Sequence, residues 1–269
     1  MPTLAAVRAV FRGKRILILL VAAAIIALAW LWIIRPGMAH NPVKPACRAV
    51  SFEGSPFTIC RYDPKVHTIA LRLNHPDGTP LRSFARLADA LGPASRHIVF
   101  AMNAGMYDKA NQPIGLYIET GVTIHLLNRN SGPGNFHMQP NGVFWIDSSG
   151  PHVGTTDAYA ALGNFAATYA TQSGPMLLID GKLNSQFGPD GTSRYIRNGV
   201  CVPDGKQIVF VISDEPVSFG KFARAFRDML HCRDALYLDG YVSSLWDAGA
   251  GRIDQRFPLG PMIVVSERR

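Results

Sequence analysis

Several segments of this chain end an apolar run with a residue able to do chemistry. Residues 235–238 read as a buried strand and deliver Asp239, Gly240, Ser243 and Ser244 in quick succession. Residues 98–102 run in the same way into Asn103, with Gly105 and Tyr107 close behind. Arg194 and Arg197 precede another apolar run, Ser173 and Gly174 stand before a third, and Asp214 and Glu215 follow a fourth. Strand ends of this kind set polar groups at the rim of a sheet, backed by core and facing a cleft. An acid, an amide, hydroxyls and a guanidinium together suit a polar, anionic, sugar-like ligand. Gly240 and Gly105 allow close backbone approach, and the serines serve either a ligand or their own turns.

The elements that must position these residues are mostly short strands. Residues 67–73 alternate apolar and polar, as a half-buried strand does. Further strands are expected at 97–102, 114–119, 122–127, 142–147, 176–180, 199–202, 207–213, 235–239 and 261–265. Two segments carry helical spacing. Around 82–91 the stripe is Phe84, Leu87, Ala88 and Leu91; around 218–231 it is Phe219, Phe222, Ala223, Phe226, Met229 and Leu230. Ser218 is placed to cap the second helix. Pro76-Asp77-Gly78 and Pro203-Asp204-Gly205 mark turns. The expected architecture is α+β: a single mixed-sheet domain with packed helices, preceded by one N-terminal transmembrane helix.

The divisions expected are a basic cytoplasmic tail at 1–15, an apolar anchor or signal sequence at 16–34, a linker and N-terminal strand region at 35–64, and the main domain at 65–269. Residues 16–34 carry no charge, enough to span a bilayer core. Arg8, Arg12, Lys14 and Arg15 precede them and favour a cytoplasmic N-terminus. The expected location is therefore the inner membrane with an exported domain, or secretion after signal cleavage. The four cysteines fit export, and an even count suggests two disulfides. Of the three connectivities, Cys47–Cys60 with Cys201–Cys232 is preferred. The formal net charge of +8 is concentrated in residues 1–35, which hold five cations and no acid. No base-stacking motif accompanies it, so no nucleic-acid partner is expected. There is no G-x-S-x-G elbow, P-loop, G-x-G-x-x-G or H-E-x-x-H, and neither a cofactor nor a metal is expected.

Four motifs, taken in order, resemble the phosphodiester glycosidase family. They are Asn103-Ala104-Gly105-Met106-Tyr107, Ser173-Gly174-Pro175-Met176-Leu177, Arg197-Asn198-Gly199-Val200 and Leu238-Asp239-Gly240-Tyr241-Val242-Ser243-Ser244. The likeness covers roughly residues 65–266 and is nearest to a bacterial branch, on Pro140-Asn141-Gly142-Val143-Phe144 and Ser213-Asp214-Glu215-Pro216-Val217. Tyr241 and Val242 stand where the family often has two glycines, and a side chain there would narrow the cleft.

The resemblance implies hydrolysis of the glycosidic bond in sugar 1-phosphodiesters of envelope or extracellular glycans. Breaking that C1–O bond builds positive charge on the sugar and negative charge on the departing phosphate, so it calls for a carboxylate and a cation. Asp239 is the candidate carboxylate and Arg197 the candidate phosphate ligand. Asn103 completes the catalytic set. Ser243, Ser244, Gly240, Gly105, Tyr107, Ser173, Gly174, Asp214 and Glu215 are candidates for substrate binding. Two other functions fit the same residues: a non-catalytic glycan-binding or envelope-assembly protein, and an exported esterase or phosphodiesterase.

Overall fold

The computed structural model describes residues 47–163 and 166–268. Three antiparallel sheets dominate it. The first has seven strands in the order Cys47–Phe52, Ser55–Tyr62, Ile208–Ser213, Asn198–Cys201, Ala235–Tyr237, Met176–Ile179, Lys182–Leu183. The second has five: Arg252–Ile253, Leu245–Asp247, Ile98–Asn103, Met262–Glu267, His67–Arg72. The third also has five: Val122–His125, Tyr117–Glu119, Tyr169–Ser173, Gly142–Asp147, Gly150–Thr155.

Side chains alternate across each strand and so divide between two layers. In Ile208–Ser213, Phe210 and Ile212 enter the inter-sheet core while Val209 and Val211 face the opposite layer. Three rings, one from each sheet, meet in the centre. Phe100 stacks on Phe210 at 5.0 Å between centroids, and Phe144 meets Phe210 edge-on at 6.1 Å. On the far face of the seven-stranded sheet, Phe222, Ala223, Phe226 and Leu230 cover Phe57, Ile59, Val209 and Val211. A smaller core joins Phe84 and Leu87 to Ile98, Val264 and Leu259.

The helices are short. Phe84–Leu91 has 8 residues and is capped by the Ser83 side chain, which accepts from Arg86 N–H. Phe219–Arg224 has 6, is capped by Ser218, and loosens into a π-helical turn at Ala225–Met229. Helices of this length are marginal alone. Burial at roughly 2 kcal/mol per large apolar side chain holds them against the sheets.

The expected α+β architecture is thus corrected to a mostly β fold. Both helical stripes are present, but the helices are short and strands predominate. Elements outside the expected ranges include the strands Gly150–Thr155, Tyr169–Ser173 and Leu245–Asp247, while Cys47–Phe52 and Ser55–Tyr62 fall within the N-terminal strand region expected at 35–64. Several of them lack clean alternation, and two contain proline. Pro151 is tolerated because its strand lies at a sheet edge. Among the described residues no helix is long and apolar enough to cross a membrane. The span read at 16–34 lies outside the described residues.

Cys47–Cys60 and Cys201–Cys232 are disulfide-bonded. The first joins directly opposed residues of the two N-terminal strands. The second ties Asn198–Cys201 to the segment after the π-helical turn.

Candidate active site

The site forms where the seven-stranded sheet meets the second sheet. Gly199 pairs with Tyr237, so the start of Asn198–Cys201 lies beside the end of Ala235–Tyr237. Asn103, at the end of Ile98–Asn103, joins them from the other sheet. Asn198 Nδ2 donates to Asn103 Oδ1 at 3.0 Å and to Asn103 O at 3.1 Å. Asn103 Nδ2 donates to the Asp239 carbonyl at 2.7 Å, and Asn103 Oδ1 accepts from Ser244 N–H at 2.9 Å. Asn103 is 1% exposed, so it fixes the Asp239 turn from beneath rather than facing a ligand.

The two serines are absorbed by the same turn. Ser243 Oγ lies 3.0 Å from Gly240 O, 3.1 Å from Ile196 O and 3.2 Å from Asn198 Oδ1, and shares its proton among them. Ser244 Oγ donates to Val242 O at 2.7 Å and is fully buried.

Arg197 is also fully buried, which differs from the expected ligand-facing guanidinium. Its Nε donates to Val217 O at 2.9 Å, Nη2 to Ser193 O at 2.8 Å, and Nη1 to Tyr237 Oη at 3.3 Å. The guanidinium lies 3.6 Å from the Phe219 ring centroid. Desolvation lowers its pKa, and among the described residues it forms no ion pair. Neutral oxygens and a ring face carry this cation, a role suited to a planar fork with five donors.

Tyr237 links Arg197 to the carboxylate turn. Burial pushes its phenol up to about 12; the Asp239 charge adds to the rise and Arg197 opposes it. A Cβ on Gly240 would lie 1.9 Å from Tyr237 Oη, so glycine is required for the turn to close over the phenol.

Asp239 is half-buried, and among the described residues no cation pairs with it. Burial raises its pKa to about 6, with the Tyr241 backbone amide offsetting part of the rise. A carboxyl of that kind changes charge close to neutrality, as a base or stabiliser must. Tyr107 stands near it. Burial and then the Asp239 charge push the Tyr107 phenol upward, and its hydroxyl donates to Pro258 O.

The remaining motif residues buttress this turn. Gly105 N–H donates to Thr171 Oγ1 at 3.1 Å, and a Cβ on Gly105 would collide with Gln172 O. Gly174 packs against Asn141 and Phe136, and Pro175 O accepts from Tyr237 N–H at 3.1 Å. Ser173 Oγ is buried and has no hydrogen-bond partner among the described residues. Asp214 is clamped by Arg252 at 2.8 Å and by Thr58 Oγ1 at 3.0 Å, whereas Glu215 is exposed.

Two cavities open beside the turn. One, of about 180 Å³, is lined by Gly240, Tyr241, Ser243 and Arg256 among others. The other, of about 430 Å³, has Asp214 and Arg252 in its wall and shares Ile196, Ser243 and Arg256 with the first. Sequence reasoning gave no role to Asn198, Tyr237 or Arg256. Tyr237 was within reach, since it ends the strand two residues before Asp239. Asn198 directly follows Arg197 in a motif already singled out. Arg256 carries no local signal.

The chain belongs to the phosphodiester glycosidase family, whose profile matches residues 96–265. It is 37% identical over 171 residues to YigE, an uncharacterized protein of Escherichia coli (strain K12), covering 64% of this chain and 66% of that one. The match therefore spans just under two thirds of that relative. The fold is similar to the catalytic domain of zebrafish N-acetylglucosamine-1-phosphodiester alpha-N-acetylglucosaminidase, auto-inhibited by its pro-peptide. The TM-score is 0.57 at 15% identity, covering 82% of each chain.

Proposed function

We propose that this protein is an exported hydrolase that cleaves the C1–O bond of sugar 1-phosphodiesters in envelope or extracellular glycans. The observation that carries the reading is Asp239: a half-buried carboxyl with a pKa near 6 and no ion pair among the described residues, on a turn whose backbone Asn103 holds and whose next residues line a cleft. Family membership supports the reaction type, and the two disulfides support export.

In this reading water supplies the hydroxyl to C1, and the C1–O electron pair leaves with the phosphate monoester. The second water proton passes to a base or to solvent. Asp239 faces the positive charge that develops on the sugar, as base, nucleophile or electrostatic stabiliser. The phosphate is a good leaving group, so no strong general acid is needed. Arg197 and Asn103 act as positioning residues, through Tyr237 and the backbone of the turn. Arg256, exposed and without an ion pair among the described residues, supplies the cation that meets phosphate.

A second reading, glycan binding without turnover on the same fold, draws on the enclosure of Arg197. That enclosure leaves no buried guanidinium to grip a transferred group. The test is release of free sugar by the full chain, disulfides intact, from a panel of sugar 1-phosphodiesters. Loss of release in Asp239→Asn supports the hydrolase. Saturable binding with no release by a folded parent supports the binding protein.

A further inference from the structure

The strands give the molecule two ends. Asn103, Asn198, Ser213 and Tyr237 stand at the strand ends nearest Asp239. At the other end Cys47 pairs with Cys60, Tyr62 with Ile208, and His67 with Glu267. These pairings gather the turns at 63–66 and 203–207, the last described residues and the first, Cys47. Phe57 pairs with Ser213 and Tyr62 with Ile208, so the strand between them sets the ends about 17 Å apart.

Unpaired cations gather at this second end. Arg48, Lys65, Lys206 and Arg268 are exposed and Arg61 is half-buried. None of the five forms an ion pair among the described residues. Arg268 Nη1 donates to Lys65 O at 3.0 Å, which lays one cation on the turn that carries another. Arg48 pairs with Ile59, so Arg61 lies diagonally across from it. Burial and then the Arg48 charge lower the Arg61 pKa, with Asp204 opposing. Like charges so placed repel, and a bound anion relieves the repulsion. Asp63 and Asp204 cap their own turns, accepting from Lys65 N–H at 2.8 Å and Lys206 N–H at 2.9 Å. Asp147, one turn away, is taken up by Trp145, Ser149 and His152, and Glu267 is exposed. Val66 stands among the cations on the 63–66 turn, 59% exposed. An open apolar side chain ringed by cations suits an anionic lipid surface.

The chain also enters the fold here. The apolar span expected at 16–34 lies outside the described residues, and residues 35–46 join it to Cys47. A connection of that length reaches at most about 45 Å. A bilayer that held the span would therefore lie within reach of this end, with Cys47 as the point of attachment.

We propose that Arg48, Arg61, Lys65, Lys206 and Arg268, around Val66, dock this end of the protein on anionic phospholipid headgroups. The Asp239 turn is then held on the side away from the bilayer. It serves substrates in the layer beyond the headgroups, not the lipids on which the protein stands. Docking of this kind does not depend on what Asp239 does.

The test is amide hydrogen exchange of the full chain in lipid discs, either pure phosphatidylcholine or with about 30% phosphatidylglycerol. Exchange at 63–67 and 204–207 should slow at least about threefold in the anionic discs, while 239–243 exchange alike in both. Salt at about 0.5 M should abolish the slowing. So should the combined Lys65→Glu, Lys206→Glu and Arg268→Glu variant, its fold checked by a cooperative urea melt. Arg61→Gln should weaken it. Equal exchange in both discs, slowing that survives the charge reversal, or slowing at 239–243 would overturn the docking. Slowing of the same turns by inorganic phosphate in uncharged discs would assign the cations to a free anion and overturn it too.

Discussion

Asp239 and Asp214 both follow an apolar strand, yet they live in different electrostatic surroundings. Asp214 has Arg252 at 2.8 Å and accepts from Thr58, and Arg252 is held in turn by Asp254 at 2.5 Å. Among the described residues no cation pairs with Asp239, and burial raises its pKa to about 6. Asp214, bonded to Thr58 of one sheet and Arg252 of another, ties the two sheets together. An unpaired carboxyl can exchange its proton near neutral pH. Position at a strand end is common to both, and the neighbouring cation decides which has a chemical role.

The sharpest way to break this contrast is to remove each charge in turn. Asp239→Asn should lower kcat by about a thousandfold, within the range for losing a residue that acts in the transition state. It should leave the circular dichroism spectrum and the melt cooperative. In the parent, activity should rise with pH along a limb centred near 6, since the ionised form does the work; a profile flat from pH 5 to 8 would remove Asp239 from that role. Arg197→Met comes next. It strips hydrogen bonds from Val217 O, Ser193 O and Tyr237 Oη inside the protein. Val217 O keeps its bond from Tyr195 N–H and Ser193 is open to water, so the lost bonds should cost about 2 kcal/mol, read by urea unfolding. A loss below ~1 kcal/mol would show that the buried network contributes little.

Asp214→Asn should do less. The pair it breaks is partly exposed, with side chains about a quarter open to solvent. We expect a loss of roughly 1–2 kcal/mol, a few degrees in Tm for a chain of this size, with kcat within a few-fold of the parent. A thousandfold fall in kcat would make Asp214 the second acid of the site and collapse the distinction.

The difference between these two regions also marks what was legible in the sequence. Asp239, Asn103 and Arg197 were found because each ends or begins an apolar run, and they do come together. Their roles were less legible. Arg197 reads the same in sequence whether its guanidinium meets a ligand or, as here, lies against the Phe219 ring. Ser243 and Ser244 look like ligand hydroxyls until the turn that consumes them is seen. Arg252 and Arg256 lie in a polar stretch with no periodicity, and only the fold brings them to Asp214 and to the cleft. The strands that emerged were those with alternation or long apolar runs. Cys47–Phe52 and Ser55–Tyr62 carry polar residues and Pro56, and their pairing depends on contacts with Ile208–Ser213 far along the chain. Two short amphipathic stripes then suggested more helix than the fold contains, because periodicity reports a buried face and not the length of the element.

The smallest expected effect tests the contrast through stability alone. The Asp239 carboxyl has a higher pKa folded, about 6, than its ordinary 3.8. Between those values the folded state holds a proton that the unfolded chain has released. Stability from this group is therefore full below about pH 4 and is lost as pH rises through 6. Asp239→Asn keeps the turn's backbone bonds to Asn103 but removes the ionisation. At pH 7.5 the variant should be more stable than the parent by roughly 1 kcal/mol, a figure reduced from the full shift because the group is partly open to solvent. That gain should shrink to nothing by pH 4. Asp214→Asn should instead lose stability, because it gives up the ion pair with Arg252. Urea midpoints for both variants at pH 4 and 7.5 measure the two signs directly. If Asp239→Asn were destabilising at pH 7.5, its charge would have a partner in the native protein, and the two carboxylates would differ in place but not in kind.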